Sequence, residues 1–262
     1  MLLDPAAIQS ALPPAVRGRI GALCVLAAVD STNSELQRIA ARDGRDILVC
    51  LAERQHLGRG RRGRGWIQPP GGGIALSVLK RFGTPLAHLA GLSLAAGVAV
   101  ARALEGCGVP PLGLKWPNDL VHDSRKLGGI LVELGGAADG PCHAIIGVGV
   151  NCELGPAADR IGQPCTDLAA LGARPPHNLL AARMLEELLR MFERFAIDGF
   201  AAAAEEFARR DVLAGRELLV SQDATSRAGI GRGVDARGAL RVGFADGEAV
   251  LDAAEVSVRV GA

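Results

Sequence analysis

Short apolar runs, each bounded by glycine or polar residues, constrain the fold of this chain more than any other feature of its sequence. Runs of about four to eight residues are typical of buried β-strands. They lie at 24–29, 47–52, 74–79, 130–134 and 144–150. A strand–turn–strand pattern also surrounds Pro117 at 113–121. The chain up to residue 150 therefore predicts a β-sheet.

Apolar residues with helical spacing lie between and after these runs. A helix is expected to open at 30–33 and to reach about residue 42, with Thr32 and Glu35 at the spacing of a capping box. Further helices are predicted by the apolar periodicity. They cover 85–104, 178–195 and 200–209. The sheet is therefore expected to have helices packed beside it.

The pattern changes after Val212, where short β runs alternate with glycine turns. Strands at such spacing predict a small β-barrel of about 50 residues. The runs lie at 217–220, 228–234, 239–244, 249–251 and 256–260. We therefore expect two domains, a larger one at 1–211 and a smaller one at 212–262.

Charge and cysteine content exclude several classes of protein. With 29 basic and 28 acidic residues the net charge is +1, which argues against a generally basic nucleic-acid binder. The only lysines are Lys80, Lys115 and Lys126. Because arginine is the usual cation in this chain, each lysine is a candidate for a chemical role. Six isolated cysteines, without a CxxC pair or a zinc-type cluster, predict a reduced cytoplasmic protein and no metal site. No apolar run long enough for a membrane span and no signal peptide are recognised.

The segment 58–66, GRGRRGRGW, interleaves glycines with four arginines. Glycine lets backbone N–H groups approach an anion closely, and the guanidinium group forms paired hydrogen bonds with phosphate or carboxylate. The segment therefore predicts an anion-binding loop that is disordered until its ligand binds. It matches neither a Walker A loop nor a dinucleotide fingerprint. A solvated basic loop or an RGG-like RNA-binding stretch explains this composition equally well.

Four shorter segments place polar residues beside glycine or proline at the ends of predicted elements. They are 31–33, 113–119, 125–133 and 147–151. Each has an ordinary structural interpretation: a helix cap, a proline turn, the start of a hairpin and a strand containing glycines. None of these segments alone distinguishes a functional site from local structure.

Taken together and in this order, the motifs make the chain resemble the biotin protein ligases, the biotin–[acetyl-CoA-carboxylase] ligases, over about residues 23–260. The resemblance is carried by DSTN at 30–33, AERQHLGRGRRGRGW at 52–66, KWPND at 115–119, RKLGGILVE at 125–133 and GVGVN at 147–151. It implies an α+β fold with a mixed β-sheet flanked by helices, akin to class II aminoacyl-tRNA synthetase cores. A C-terminal SH3-like β-barrel is also implied.

The resemblance further implies a two-step reaction. Biotin and ATP, accompanied by Mg²⁺, form biotinyl-5′-AMP and pyrophosphate. Biotin then passes to a lysine of a biotin carboxyl carrier protein, a subunit of acetyl-CoA carboxylase. Two anions must meet in the first step, so fixed cations are needed to offset their repulsion.

Site residues are implied only where a motif position matches. The implied catalytic residues are Lys126, which reaches the biotin carboxylate and α-phosphate oxygens, Arg59, and Asp119, which orients the incoming lysine or acts as its base. The implied biotin contacts are Ser31, Thr32, Asn33, Gln55, Arg59, Gly60, Arg61, Lys126, Gly128 and Gly129. The implied ATP contacts are Arg59, Arg61, Lys115, Asn118, Asn151 and Trp66.

The chain departs from the family pattern in three places. Trp66 is followed by Ile67 and Gln68 rather than by a Ser-Pro-like step. The region 152–168, expected to cover the adenine, contains no aromatic residue. The DSTN motif begins at residue 30, which leaves no room for the winged helix-turn-helix of repressor relatives. We therefore expect a ligase that does not bind DNA, acting as a monomer or homodimer.

Two other functions stay open at this stage. One is a lipoate-type acyl-adenylating protein ligase with the same fold. The other is a non-enzymatic nucleic-acid binder that uses the arginine–glycine segment. The second predicts a basic surface and stacking aromatics, whereas the chain is nearly neutral and has no tyrosine and two tryptophans.

Overall fold

The computed structural model describes residues 3–136, 139–222, 225–252 and 257–260. The larger of its two sheets contains β1 (Ala22–Leu26), β2 (Ile47–Ala52), β3 (Gly73–Phe82), β4 (Gly113–Lys115), β5 (Asp119–His122), β6 (Arg125–Gly136) and β7 (Cys142–Asn151). Their spatial order is β1-β2-β3-β7-β6-β5-β4. β1 and β2 run parallel, and the other neighbouring pairs are antiparallel. The predicted mixed sheet is confirmed.

Helices cover both faces of this sheet. They are α1 (Pro5–Ala11), α2 (Pro14–Arg17), α3 (Thr32–Ala40), α4 (Leu92–Glu105), α5 (His177–Asp198) and α6 (Ala201–Arg210). α3 packs on one face over a small apolar cluster that includes Leu36, Cys50 and Ile145. α4 and α5 pack together on the other face, over the main core. This arrangement confirms the α+β class predicted from the sequence.

The start of α3 differs from the prediction in one respect. Ser31 is the N-cap residue, and its own side chain makes no capping hydrogen bond. The predicted capping box is therefore wrong. Thr32 is the first helical residue and its hydroxyl donates to Gln55, while Glu35 accepts a hydrogen bond from Arg38.

The helix predicted over 85–104 is divided. A 3-10 turn, Leu86–Leu89, precedes α4, and Gly91 separates them with a φ of 77°. A left-handed residue ends helical geometry at little cost when it is glycine. Residues 86–105 are also long and apolar enough to cross a membrane by length and composition, so the expectation that no such run exists is wrong. In the structure this is a core helix, since 11 of the 14 residues of α4 are buried.

The second sheet follows residue 212. It contains β8 (Glu217–Gln222), β9 (Thr225–Val234), β10 (Leu240–Phe244), β11 (Gly247–Leu251) and β12 (Ser257–Val260). The strands are antiparallel in the order β11-β10-β9-β8-β12, which fits the predicted SH3-like domain. The predicted strand at 256–260 begins at Val256, which lies outside the described residues.

Trp116 connects the small sheet to the large one. Its side chain is buried, and its indole Nε1 donates a hydrogen bond to the carbonyl oxygen of Gly238 at 3.0 Å. Leu114 of β4 also pairs with Asp211 in an isolated bridge. The small sheet is therefore docked against the turn that carries the KWPND motif. A domain boundary at 211/212 stays a prediction.

Candidate active site

A cavity of about 910 Å³ opens on the face of the large sheet that carries α3. It is lined by the start of α3, the segment 58–66 (the Arg/Gly loop), the turn 115–119, strands β6 and β7, and the segment 160–165. Val258 of the small sheet also lines it. This volume is within the range of sites that hold small molecules or cofactors.

One part of the cavity wall is formed by Thr32, Asn33 and Gln55, which Ser77 supports from behind; we call these four polar side chains the polar end. Thr32 donates its N–H and its hydroxyl to Gln55 Oε1 at 2.9 and 3.2 Å. Behind them, Ser77 Oγ lies 2.7 Å from Thr32 Oγ1 and 2.6 Å from Asn33 Oδ1. Thr32, Asn33 and Ser77 are at most 4% exposed. Buried polar groups that hold one another in this way keep their donors and acceptors in defined directions.

Glycines of β7 let side chains lie directly on the sheet. A Cβ atom at Gly147 would stand 2.5 Å from Asn33 Oδ1, and one at Gly149 would stand 2.5 Å from the ring of Trp66. Successive strand residues point to opposite faces, so both positions face the cavity. The ring of Trp66 therefore packs directly on Gly149, where any side chain on the strand would displace the ring.

The glycine pair of β6 is divided between the two faces. Gly129 lines the cavity, and a Cβ there would approach Trp66 to 3.6 Å. Gly128 does not line the cavity, and a Cβ there would meet the carbonyl oxygen of Gly149 at 2.7 Å. Because neighbouring strand residues alternate, one member of such a pair must face away.

The Arg/Gly loop folds back on itself. Arg59 and Gly65 form an isolated antiparallel bridge, and a 3-10 turn, Arg61–Gly63, closes the tip. Arg62 lies in the left-handed region with a φ of 57°. The structure thus gives the loop one defined conformation. Its disorder in the absence of ligand stays a prediction.

Positive charge dominates the cavity. Among the described residues, seven cationic side chains line it together with one carboxylate, Asp119. The cations are Arg59, Arg61, Arg62, Arg64, Lys115, Lys126 and Arg160. Burial, and then the charge of the neighbouring Arg62, lower the pKa of Arg61. Arginine remains protonated in proteins, so the cavity favours an anionic ligand.

Lys126 and Asp119 form an ion pair inside the cavity. Lys126 Nζ lies 2.6 Å from Asp119 Oδ1, and the two side chains are 18% and 20% exposed. The same ammonium lies 5.8 Å from the ring centre of Trp66. β5 and β6 are adjacent, so the pairing of these strands brings the two residues together. The charges are partly shielded from water, which strengthens their action on a bound anion.

Two asparagines of the motifs stabilise the main chain around Lys126. Asn118 Nδ2 donates to the carbonyl oxygen of Ile130 at 2.8 Å. Asn151 Nδ2 donates to the carbonyl oxygens of Thr166 at 3.0 Å and Lys126 at 3.4 Å. Both asparagines line the cavity, but these amide nitrogens are engaged within the protein. Their oxygens are the atoms suited to a ligand.

Glu133 connects the Arg/Gly loop to the polar end. Its Oε2 accepts a hydrogen bond from Asn33 Nδ2 at 2.8 Å and another from Arg59 Nη2 at 3.0 Å. The side chain of Glu133 is 26% exposed and that of Arg59 is 42% exposed. One carboxylate oxygen on β6 therefore contacts two segments that are distant in sequence.

The segment 160–165 closes the cavity beside β6. The N–H of Lys126 donates to the carbonyl oxygen of Pro164 at 3.0 Å, and the N–H of Thr166 donates to that of Lys126 at 2.9 Å. Arg160 and Gln163 line the cavity from this segment. It lies within the region where an adenine cover was expected, although no adenine contact could be named there from the sequence.

The motif residues converge as expected. All of the predicted site residues except Gly128 line the one cavity. Sequence reasoning missed Ser77, Glu133 and Gly147. Ser77 is a hydroxyl within an otherwise apolar run, which is the one signal that could have found it.

No protein metal centre is evident in the part of the chain that the structure describes. Within it, no three His, Cys, Asp or Glu side chains come close enough to hold an ion. The six cysteines are free, and four of them are buried.

Comparisons with known proteins agree on one family. A model of the Biotin/lipoate A/B protein ligase family matches residues 25–151. The bifunctional ligase/repressor BirA of Escherichia coli is 36% identical over 222 residues, which are 84% of this chain and 68% of that protein. A biotin–[acetyl-CoA-carboxylase] ligase of Mycobacterium tuberculosis is 36% identical over 244 residues, 89% of this chain and 88% of that protein.

Solved structures give the same answer. The biotin protein ligase of Aquifex aeolicus, in complex with biotin and ATP, superimposes with a TM-score of 0.77 and 25% identity. The match covers 92% of this chain and all of that chain. With curated relatives above 30% identity over most of their length, the chain belongs to the biotin protein ligase family.

Proposed function

We propose that this protein is an ATP-dependent biotin ligase. It forms biotinyl-5′-AMP from biotin and ATP and transfers biotin to a lysine of a biotin carboxyl carrier protein. One observation carries the proposal: a preorganised polar end and a cluster of cations face the same cavity. Such a cavity suits a ligand with an uncharged polar group and an anionic group.

Recognition of biotin is assigned to the polar end. The ureido ring of biotin offers two N–H donors and one carbonyl acceptor. Hydroxyl and amide side chains supply both kinds of partner, and Ser31, Thr32, Asn33 and Gln55 line this wall. The dithiolane ring of lipoate offers no such donors. A site built to hydrogen-bond its substrate rejects an analogue that leaves those groups unpaired.

Adenylate formation is assigned to the cationic part of the cavity. A carboxylate oxygen of biotin attacks the α-phosphorus of ATP, the bond to the bridging oxygen of the β-phosphate breaks, and pyrophosphate leaves. ATP is taken as its Mg²⁺ complex, in which the ion offsets part of the triphosphate charge. Lys126, Arg59 and Arg61 stabilise the negative charge that remains on the carboxylate and α-phosphate oxygens.

Transfer of biotin uses the same adenylate. The ε-amine of the carrier lysine attacks the carbonyl carbon of the mixed anhydride, the C–O bond to phosphate breaks, and AMP leaves. Asp119 is the one carboxylate among the described lining residues, so we assign it to orient the incoming amine or accept its proton. Its ion pair with Lys126, the residue assigned to the carboxylate and α-phosphate oxygens, supports this role.

The setting of the reaction is proposed with the activity. The carboxyl carrier protein of acetyl-CoA carboxylase is the expected partner, and the chain acts as a monomer or homodimer. Six free cysteines support a reducing, cytoplasmic compartment. The Arg/Gly loop lines the cavity, which supports a role in substrate binding and no role in DNA binding. A salt-dependence slope near zero for single-stranded RNA or DNA is the expected result.

The experiment that tests the proposal is exchange of labelled pyrophosphate into ATP, with biotin, lipoate or octanoate as the acid. Exchange with biotin alone is expected. Exchange with lipoate instead would retain the adenylation chemistry and overturn the assignment of the polar end. No exchange with any acid would overturn the proposed activity.

A further inference from the structure

We propose that Glu133 is a positioning residue that couples the polar end to the Arg/Gly loop, an inference that rests on the proposed function. Its single Oε2 atom accepts hydrogen bonds from Asn33 Nδ2 and Arg59 Nη2. Neither the motif resemblance nor the pattern of apolar residues assigned it a role.

The carboxylate sets the orientation of the Asn33 amide. Asn33 Oδ1 lies 2.6 Å from Ser77 Oγ, while its Nδ2 lies 2.8 Å from Glu133 Oε2. A flipped amide would place its oxygen against the carboxylate of Glu133, which is repulsive. Ser77 and Glu133 therefore select one orientation of Asn33, and this decides which atom the amide presents to a ureido group.

The same carboxylate holds the first arginine of the loop. Arg59 and Glu133 form an ion pair at 3.0 Å, and a bond between opposite charges is stronger than a neutral one. Glu133 belongs to β6, which is paired with β7 through the register of Glu133 with Ile145. The loop is thus tied to a residue on the rigid sheet rather than to another loop.

Sharing of one oxygen makes the two contacts interdependent. If a ligand moves Asn33 away from Glu133, the hydrogen bond between Glu133 and Arg59 changes as well. The same holds for Asn33 if the ligand moves Arg59. We expect biotin at the polar end to bias the conformation of the loop before ATP binds. Lys126 lies on the same strand as Glu133, so β6 carries both residues.

The test compares Glu133→Ala, Glu133→Gln and Glu205→Ala with the wild type. Glu205 is a matched control, because it pairs with Arg209 on the exposed surface of α6, outside the cavity. For Glu133→Ala we expect the Kd and KM for biotin to rise about tenfold, with a smaller change in kcat of exchange. Glu133→Gln retains an acceptor of the same length and is expected to recover part of the biotin affinity. Glu205→Ala is expected to bind biotin like the wild type.

A second readout does not require activity. Trypsin cleaves after arginine, so its rate of cleavage within 59–64 reports how firmly the loop is held in the free protein. We expect faster cleavage in Glu133→Ala and a smaller effect of biotin on that rate, with an unfolding temperature close to the wild type. Unchanged biotin affinity and cleavage in both Glu133 variants would overturn the proposal. Loss of exchange in the wild type itself would overturn the proposed function instead, while the cleavage rates would still test the coupling.

Discussion

The polar end and the Arg/Gly loop face one cavity but are held in different ways. Thr32 and Asn33 lie in the first turn of α3 and Ser77 lies within β3, and all three are buried. In the loop, Arg62 and Arg64 are exposed, and the arginines are carried by a turn with little regular structure. The comparison teaches that hydrogen-bond recognition is built into regular elements, whereas much of the positive charge is supplied by an exposed loop, for which mobility stays a prediction.

The largest effect is expected at Lys126, which is proposed to contact the anionic groups of the ligand. Lys126→Ala removes the ammonium that lies beside Asp119, and we expect exchange of pyrophosphate to fall at least about 100-fold. The unfolding temperature should stay close to the wild type. Lys80→Ala is the matched control, because Lys80 pairs with Asp46 outside the cavity. Exchange at the wild-type rate in Lys126→Ala would contradict the assigned role.

A second prediction concerns displacement of the polar end by a steric clash alone. Gly147→Ala places a Cβ atom 2.5 Å from Asn33 Oδ1, so Asn33 must move. Displacement of a positioning group by about 1 Å lowers the reaction rate by up to about 100-fold. By analogy, we expect the Kd for biotin to rise about 10- to 100-fold. Calorimetric titration measures this. Gly83→Ala, where no atom lies within 4 Å of the new Cβ, should bind biotin like the wild type.

Removal of one hydroxyl tests how far the polar end depends on its buried support. Ser77→Ala leaves the oxygens of Thr32 and Asn33 without that partner, so we expect a loss of about 1–3 kcal/mol in the free energy of unfolding. Biotin binding should weaken about tenfold. Ser226→Ala, which removes an exposed hydroxyl bonded to Ser221, should change stability by less than about 0.5 kcal/mol. Equal effects in urea unfolding would show that Ser77 has no special role.

The mobility assigned to the loop is tested by limited proteolysis. We expect cleavage within 58–65 in the free protein and protection by biotin plus ATP, because the bound anions neutralise and order the arginines. Protection by several-fold is the expected size. The helices α5 and α6 contain arginines outside the cavity and serve as internal controls for protease activity. Equal loop cleavage with and without ligands would contradict the expected ordering of the loop by its ligands.

The sequence predicted the sheet and the convergence of the motifs well, because both depend on local patterns. The apolar run 47–52 coincides with β2, and motif residues from five segments meet in one cavity. The break at Gly91 was missed, since the apolar periodicity continues across it. A left-handed backbone at one glycine cannot be read from the spacing of its neighbours.

Contacts that depend on strand pairing could not be predicted from the sequence. Ser77 supports Asn33 only because β3 lies beneath the start of α3. Glu133 meets both Asn33 and Arg59 only because β6 is two strands from β3. The predicted capping box failed because Ser31 is the N-cap residue, while the hydroxyl of Thr32 bonds with the long-range partners Gln55 and Ser77. Local propensity gives way where a long-range hydrogen bond is available.

The smallest effect sharpens the comparison within the loop itself. Arg61 is partly buried, and burial is the first cause of its lowered pKa, whereas the adjacent Arg62 is exposed. We expect Arg62→Ala to change the rate of exchange by less than about threefold, because an exposed charge is screened by solvent. Arg61→Ala should reduce it by at least about tenfold. Since both variants remove one positive charge from the same turn, equal losses would mean that the loop acts through its total charge and not through placed groups. Unequal losses would extend to the loop the kind of positioning already seen at the polar end.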